Sequence, residues 1–405
     1  MYFDFAWRYF RAKKSANAIN IIAWVTTGVI AFATCCQVLV LSVFNGFEDL
    51  VKSLYSTFYA DIKILPARGK TFTLSAAQIT KINKQTFVLK SALIAEERAL
   101  LQNGEAQSVV VLKGVDENYP EVSGVASKIT DGNFYTGSLD EPRIIIGRGI
   151  QNATGITIND AFAPEIISVL LPKKTKSNDP LESISQGNVT ASGVFAIQQD
   201  FDNLYALTNL EFVKQQMAFA KDEYTGMEVR LRYNADIEKS KLALASVLGK
   251  DYKVQTKYEQ NTNLYNTMKM EKWAIYAVLT LILIIAAFNM ISALTMLVLE
   301  KKQDIAILQS MGSTRATIQK IFLSEGLLLG IIGAATGIAV AIIICLIQIK
   351  YKLIKLQGGS FLIEYFPVKL IATDFLLVSS SALIIAFMAS WFPAYKASRQ
   401  PLALK

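Results

Sequence analysis

The sequence predicts a membrane α-helical protein with four transmembrane helices and an α+β domain inserted between spans 1 and 2. Composition gives the first sign: 52% of the 405 residues are hydrophobic and the mean hydropathy is +0.33. The second is the distribution of that apolar content. Residues 19–44, 273–299 and 375–395 contain no charge, and 321–349 contains only Glu325. Each run reaches the ~20 residues needed to cross roughly 30 Å of hydrocarbon. The third is the stretch of about 225 residues between the first two runs, which is enough for one large domain or two small ones.

Taken in order, residues 1–16 form an interfacial N-terminal segment, in which aromatics mix with Arg8, Arg11, Lys13 and Lys14. The first span covers 17–47. It is longer than a signal-peptide core and no small-x-small cleavage site follows it. The extramembrane domain covers 48–271. Strands are expected at 61–65, 108–115, 143–147, 166–171 and 191–197, where β-branched residues alternate or cluster. Helical patterns occupy 75–83 and 210–219, and 226–256 reads strand, helix, strand, with Asn234 or Asp236 as the helix cap. The connection from Leu170 to Val189 is long, polar and rich in turn formers, whereas hairpin loops are usually two to five residues.

The second span covers 272–299, and a link with a short amphipathic helix covers 300–317. The third span covers 318–349, an outer loop 350–372, the fourth span 373–393 and a tail 394–405. In the link helix Ile305, Leu308 and Ile307 fall toward one side, Gly312 suits the C-terminus, and Ser313 or Thr314 can cap the next helix. Within the third span, Gly326/Gly330 and Gly333/Gly337 are small-xxx-small pairs that allow close backbone approach, read here as packing within the chain. Gln37 and Asn289 are candidates for hydrogen bonds between spans, and Glu325 for an anchor near the membrane edge.

An even number of spans puts both termini on one side. That side carries eleven Lys/Arg near the membrane against eight on the other, which favours cytoplasmic termini. Basic residues are dispersed, so the net charge of +8 points to membrane flanks and not to nucleic acid. Cys35, Cys36 and Cys345 all lie in expected spans, leaving the large domain without a disulfide. With no histidine, imidazole metal sites and bases are excluded; no metal ligand set and no catalytic residue is expected. No G-x-x-x-x-G-K-[ST] phosphate loop and no G-x-S-x-G elbow occurs, so the chain is not expected to be an enzyme or to hold a cofactor itself.

The segment EKKQDIAILQSMGST followed by IQKIFLSEGLLLGIIGAATG resembles the FtsX/MacB-type permeases of ABC transporters, and within them the lipoprotein-releasing LolC/LolE branch. The first span with its terminal NGFE, the stretch AAFNMISALTMLVLEKKQDIAIL and the stretch ASWFPAYKAS resemble the same branch in the same order. The resemblance implies a Gram-negative inner-membrane permease subunit with a MacB-like periplasmic domain, in which one lobe is discontinuous and flanks an inserted one. Lipoproteins would be the substrate and a periplasmic lipoprotein carrier the acceptor. A second permease subunit and a LolD-like ATPase, which alone holds ATP and Mg, would complete the assembly. It implies ATPase coupling through Lys301, Lys302, Asp304, Ile305, Ile307, Leu308, Met311 and Gly312. It implies a carrier-binding hook with Pro172, Lys173, Lys174, Lys176, Asp179 and Pro180. Val40, Val43, Phe44, Phe47, Tyr276, Phe361, Tyr365 and Phe366 would border the lipoprotein cavity or form an interfacial aromatic belt. Two other readings are an FtsX-like signalling subunit and a MacB-like efflux permease.

Overall fold

The computed structural model describes residues 17–158, 165–174, 183–355 and 365–400, with side chains from residue 21 onward. Of these, residues 17–50, 266–355 and 365–400 make up one compact unit. The described residues between 51 and 265 make up the other.

Among the described residues, four helices are long and apolar enough to cross a membrane: Asn17–Phe58, Thr262–Glu300, Arg315–Tyr351 and Ala372–Ser398. The first helix runs on past residue 47 to Phe58, and the second begins at Thr262, well before residue 272. Their polar extensions lack apolar faces wide enough to read as membrane, so hydropathy alone stopped short of them. Leu294, Leu329, Ala386 and Ala389 pack with Ile30 and Met290 in the middle of the bundle. The third helix starts on Thr314, whose hydroxyl accepts the Thr317 N–H, which settles the choice between Ser313 and Thr314. Pro393 lies buried inside the fourth helix, where it removes one backbone donor.

The second unit is built on a ten-stranded sheet. Strands β1 (Ile62–Pro66) and β2 (Phe72–Thr73) open it, followed by the long hairpin of β3 (Val88–Asn103) and β4 (Ala106–Val115). Then come β5 (Ile129–Gly132), β6 (Arg143–Gly147), β7 (Ile166–Pro172), β8 (Ile184–Phe195) and β9 (Tyr205–Asn209). The last are β10 (Glu223–Tyr224), β11 (Gly226–Leu231) and β12 (Tyr252–Thr256). Strands β2 and β10 pair separately.

β3 divides its length between two surroundings. Its first half pairs with β11 from Val88 to Ile94, beside β1 and β12. Its second half pairs with β4 from Ile94 to Asn103, and Leu100–Gln102 also pair with β7. β4, β9, β6, β8 and β7 follow in order, so pairing runs round a ring and returns to β3. Closure of this kind removes exposed strand edges. One lobe is therefore drawn from both ends of the unit, β1 with β11 and β12, and the ring is formed by the chain between. The helix Ala76–Asn83 starts with a reciprocal Ser75/Gln78 capping box, and Ile237–Leu248 starts on Asp236, which accepts two N–H groups.

Candidate functional site

The link helix spans Lys302–Ser310. Ile305 and Ala306 are its buried residues. Ile305 joins Val298, Ile318, Phe322, Ala394 and Ala397 in one apolar cluster, so it meets side chains of the second, third and fourth membrane helices. Ile305, named above among the ATPase-coupling residues, is buried and anchors the helix inward. Ile307 is 55% exposed and Met311 78% exposed. One turn apart, they form the outward apolar ridge, with exposed Gln303 and half-buried Asp304 one turn before Ile307. Leu308 is half-buried, and Lys301 pairs with Asp304 at 3.1 Å. Gly312 adopts φ +89°, a left-handed turn that ends the helix where a side chain would be strained.

The glycines of the third helix face two different neighbours. A Cβ on Gly326 or Gly330 would meet Ser390 or Ala386 of the fourth helix at 2.1 and 2.5 Å. On Gly333 or Gly337 it would meet Ile30 of the first helix or the Ala31 carbonyl oxygen, at 2.9 and 2.3 Å. Gln37 donates to Thr280 at 3.2 Å across the first and second helices, whereas Asn289 lies exposed. Glu325 is 5% exposed, and its Oε2 has no hydrogen-bond partner among the described residues.

At the other end of the bundle the structure reveals a polar clamp that sequence reasoning missed. Asn45 donates to Asp374 at 2.6 Å, and Lys272 donates to the Asn45 side-chain oxygen at 2.8 Å and pairs with Asp374 at 3.1 Å. Three membrane helices are thus tied by one residue each. Gly46 follows Asn45 because the Pro367 backbone lies where its Cβ would be, 2.3 Å from the carbonyl oxygen. Asp49 pairs with Lys369 beside it. The Asn-Gly pair in NGFE was the available signal, but its partners lie far away in sequence.

Of the expected cavity residues, Phe47 and Phe366 meet edge to face with centroids 5.7 Å apart, and Lys352 stands 4.1 Å over the Tyr365 ring. Tyr276 packs against the cluster of Val38, Leu41 and Val378 inside the bundle. Val40 is exposed, Val43 and Phe44 are half-buried, and Phe361 lies outside the described residues.

In the sheet unit, the connection at Leu170–Val189 is a β7–β8 hairpin paired from Ile166↔Thr190 to Pro172↔Ile184. The Lys173 N–H donates to the Ser183 carbonyl, which continues the ladder. Lys176, Asp179 and Pro180 lie outside the described residues. The root of the hairpin is fixed on the helix Leu210–Gln216, because Ser185 donates to Gln216 and Gly187 leaves room for the Phe212 ring. Lys174 donates its N–H to the Met217 carbonyl and pairs through Nζ with Glu223. Burial would raise the Glu223 carboxyl, but hydrogen bonds from Lys174, Thr71 and the Ala220 N–H hold it below the usual range. Lys173 and Lys174 also line a groove of about 780 Å³ together with Lys70, Glu97, Pro172 and Phe219.

The FtsX-like permease C-terminal family matches residues 276–402, which hold the second to fourth membrane helices and the link. LolC of Xylella fastidiosa, a lipoprotein-releasing system transmembrane protein, is 26% identical over 405 residues, covering 97% of this chain and 95% of that one. LolE of Haemophilus influenzae is 25% identical over 408 residues, covering 98% and 97%. Among solved structures, the periplasmic region of MacB from Actinobacillus actinomycetemcomitans aligns with TM-score 0.37 and 12% identity, covering 54% of this chain and 98% of that one. The extracellular domain of the ABC-type transporter YknZ from Gram-positive bacteria aligns with TM-score 0.34 and 14% identity, covering 48% and 99%. The chain is thus similar to LolC and LolE over nearly its whole length, and to the FtsX-like permease C-terminal family over the stretch that holds the link helix.

Proposed function

We propose that the chain is the permease subunit of an ABC transporter that extracts lipoproteins from the inner membrane of a Gram-negative cell and passes them to a periplasmic carrier. The likeness to LolC and LolE over nearly the whole length carries this reading. Both termini and the link helix face the cytoplasm, and residues 51–265 face the periplasm; the excess of Lys/Arg on the terminal side supports this orientation. A separate LolD-like ATPase, holding ATP and Mg, seats on Ile307 and Met311 with Gln303 and Asp304 beside them. That ridge supports docking because exposed apolar side chains rimmed by polar residues mark partner sites. A second permease subunit, either a copy of this chain or a paralogue, completes a cavity bordered by the first helices. The β7–β8 hairpin receives the carrier, its root stiffened by Gln216 and Glu223. Work is needed because an acyl chain leaves lipid at a cost of about 0.8 kcal/mol per CH₂.

The test uses vesicles reconstituted with the complete transporter, a lipidated substrate and carrier outside. Ile307→Asp with Met311→Asp is expected to weaken ATPase docking about thirtyfold and stop lipoprotein release, while the permease still inserts. Undiminished release by this variant would refute the docking assignment.

A further inference from the structure

Where the second and fourth membrane helices end together, a recess of about 420 Å³ is lined by Leu299, Lys302, Phe392, Tyr395, Lys396 and Arg399. Its residues divide by position along the helices. Leu299 and Phe392 belong to the apolar runs, and both are more than half exposed. Lys302, Lys396 and Arg399 lie where those runs give way to charge. Gln400 completes the lining, and among the described residues no carboxylate belongs to it; Glu300 sits beside Leu299 in the chain but is not part of its wall. Among the described residues none of the three cations forms an ion pair, in contrast to Lys301, Lys272 and Lys369 of the same unit. The Arg399 guanidinium is held over the Tyr395 ring, 4.5 Å from its centroid, so its charge is positioned at the rim and not free to sweep the solvent.

An apolar floor with an unpaired cationic rim at the edge of a hydrocarbon-spanning segment matches one kind of molecule, an acyl chain ending in an anion. We infer that this recess binds an anionic phospholipid of the adjoining leaflet. The phosphate diester lies between Lys396, Arg399 and Lys302, and the first carbons of an acyl chain lie along Leu299 and Phe392. Basic pockets between membrane helices on the inner face recognise anionic headgroups by this division of labour. The consequence is positional, because a lipid held here touches the end of the second helix, the first residue of the link helix and the fourth helix together. The inference rests on these helices crossing the membrane, and it stands or falls separately from the lipoprotein-releasing reading.

Native mass spectrometry of the full-length chain in detergent, titrated with phosphatidylglycerol or phosphatidylcholine, tests it. Phosphatidylglycerol is expected to be retained and phosphatidylcholine lost. Each cation near the surface contributes about fivefold, so Lys396→Ala with Arg399→Ala is expected to weaken retention about 25-fold. Lys396→Gln alone, exposed on the helix surface, is expected to weaken it about fivefold and provides a readout should the double variant fail to fold. Lys350→Ala, a cation at the far end of the third helix, is expected to change nothing. Equal retention of the two lipids, or full phosphatidylglycerol retention by Lys396→Gln and the double variant, would overturn the proposal. So would displacement by soluble glycerophosphate, which lacks acyl chains. If Lys396→Glu with Arg399→Glu retains phosphatidylglycerol and releases the ATPase subunit, the recess is a protein contact and the lipid assignment is wrong. A cysteine at 396 labelled from the periplasmic side would overturn the orientation proposed above and leave the lipid result intact.

Discussion

Lys113 and Glu228 form the most deeply buried ion pair among the described residues, and removing one member makes a demanding test of the sheet unit. Lys113 lies on β4 and Glu228 on β11, and their side chains are 2% and 0% exposed with Nζ 2.6 Å from Oε1. The same ammonium donates to the Tyr119 hydroxyl at 3.0 Å and lies 4.8 and 5.3 Å from the Tyr119 and Phe58 ring centroids. Burial alone would depress this lysine, but Glu228, Tyr119 and Glu96 outweigh it and keep Lys113 charged, its pKa well above the ordinary lysine value. Lys113→Met leaves the Glu228 carboxylate sealed from water, with Oε2 already lacking a partner. Breaking a buried pair in this way costs about 3–5 kcal/mol. For a unit of this size each kcal/mol is worth about 2–4 °C, so the melting point should fall by roughly 6–20 °C. Lys113→Met with Glu228→Leu removes both charges and should recover most of that loss. Pulse proteolysis of the full chain in detergent across a urea series measures all three proteins. A single variant that loses under about 1 kcal/mol, or a double variant no better than the single, would refute the reasoning.

Acid should weaken the same unit. Burial raises the Glu96 carboxyl, but Lys63 at 2.6 Å and Lys113 more than offset this and hold it below its ordinary value of 4.5. Its contribution is present above that value and is lost as pH falls through the lower folded one, so urea midpoints that stay flat from pH 6 to 3 would contradict it. In the bundle, Gly337→Ala puts a methyl 2.3 Å from the Ala31 carbonyl and should cost about 1–3 kcal/mol, whereas Gly28→Ala meets nothing within 4 Å and should be nearly neutral. Thermal melts of the two variants in detergent that coincide would discount the close packing of the first and third helices.

The four membrane helices were legible because hydropathy is additive along a chain and needs no tertiary partner. The sheet unit was legible only where strands are apolar: RIIIG was placed at its observed bounds, 143–147. β3 was not found at all. VLKSALIAEERALLQN is rich in Ala, Leu and Glu, all good helix formers, and takes strand form because β11, β4 and β7 pair along it. The polar start of β8 was hidden for a related reason, since Ser185, Gln186 and Gly187 are held by β7 and by the helix behind them. The outer clamp was invisible because Asn45, Lys272 and Asp374 each look like the flank of a separate span. In the link helix, Ile305, Ile307 and Leu308 cover too much of the circumference for periodicity to pick the inner side. Ala306, small and unremarked, completes that inner side with Ile305.

If the link helix docks an ATPase as proposed, its division into an inner and an outer side makes docking and transmission separable. Ile307 and Met311 offer surface, whereas Ile305 sits in a cluster drawn from the ends of three membrane helices. A push on the ridge reaches that junction through Ile305, and the cluster includes Ala394, next to Pro393, where the fourth helix lacks a backbone hydrogen bond and can bend. Ile305→Ala leaves the exposed ridge unchanged and opens a void beneath it, so contacts that transmit displacement are lost before any that recognise the ATPase. ATPase affinity should stay within about twofold of the parent, while lipoprotein released per ATP hydrolysed should fall severalfold. Binding of the ATPase to reconstituted permease, measured beside release and phosphate production in the same vesicles, distinguishes the two. If Ile305→Ala lowers affinity and release in proportion, the helix is a docking surface alone and the junction beneath it transmits nothing.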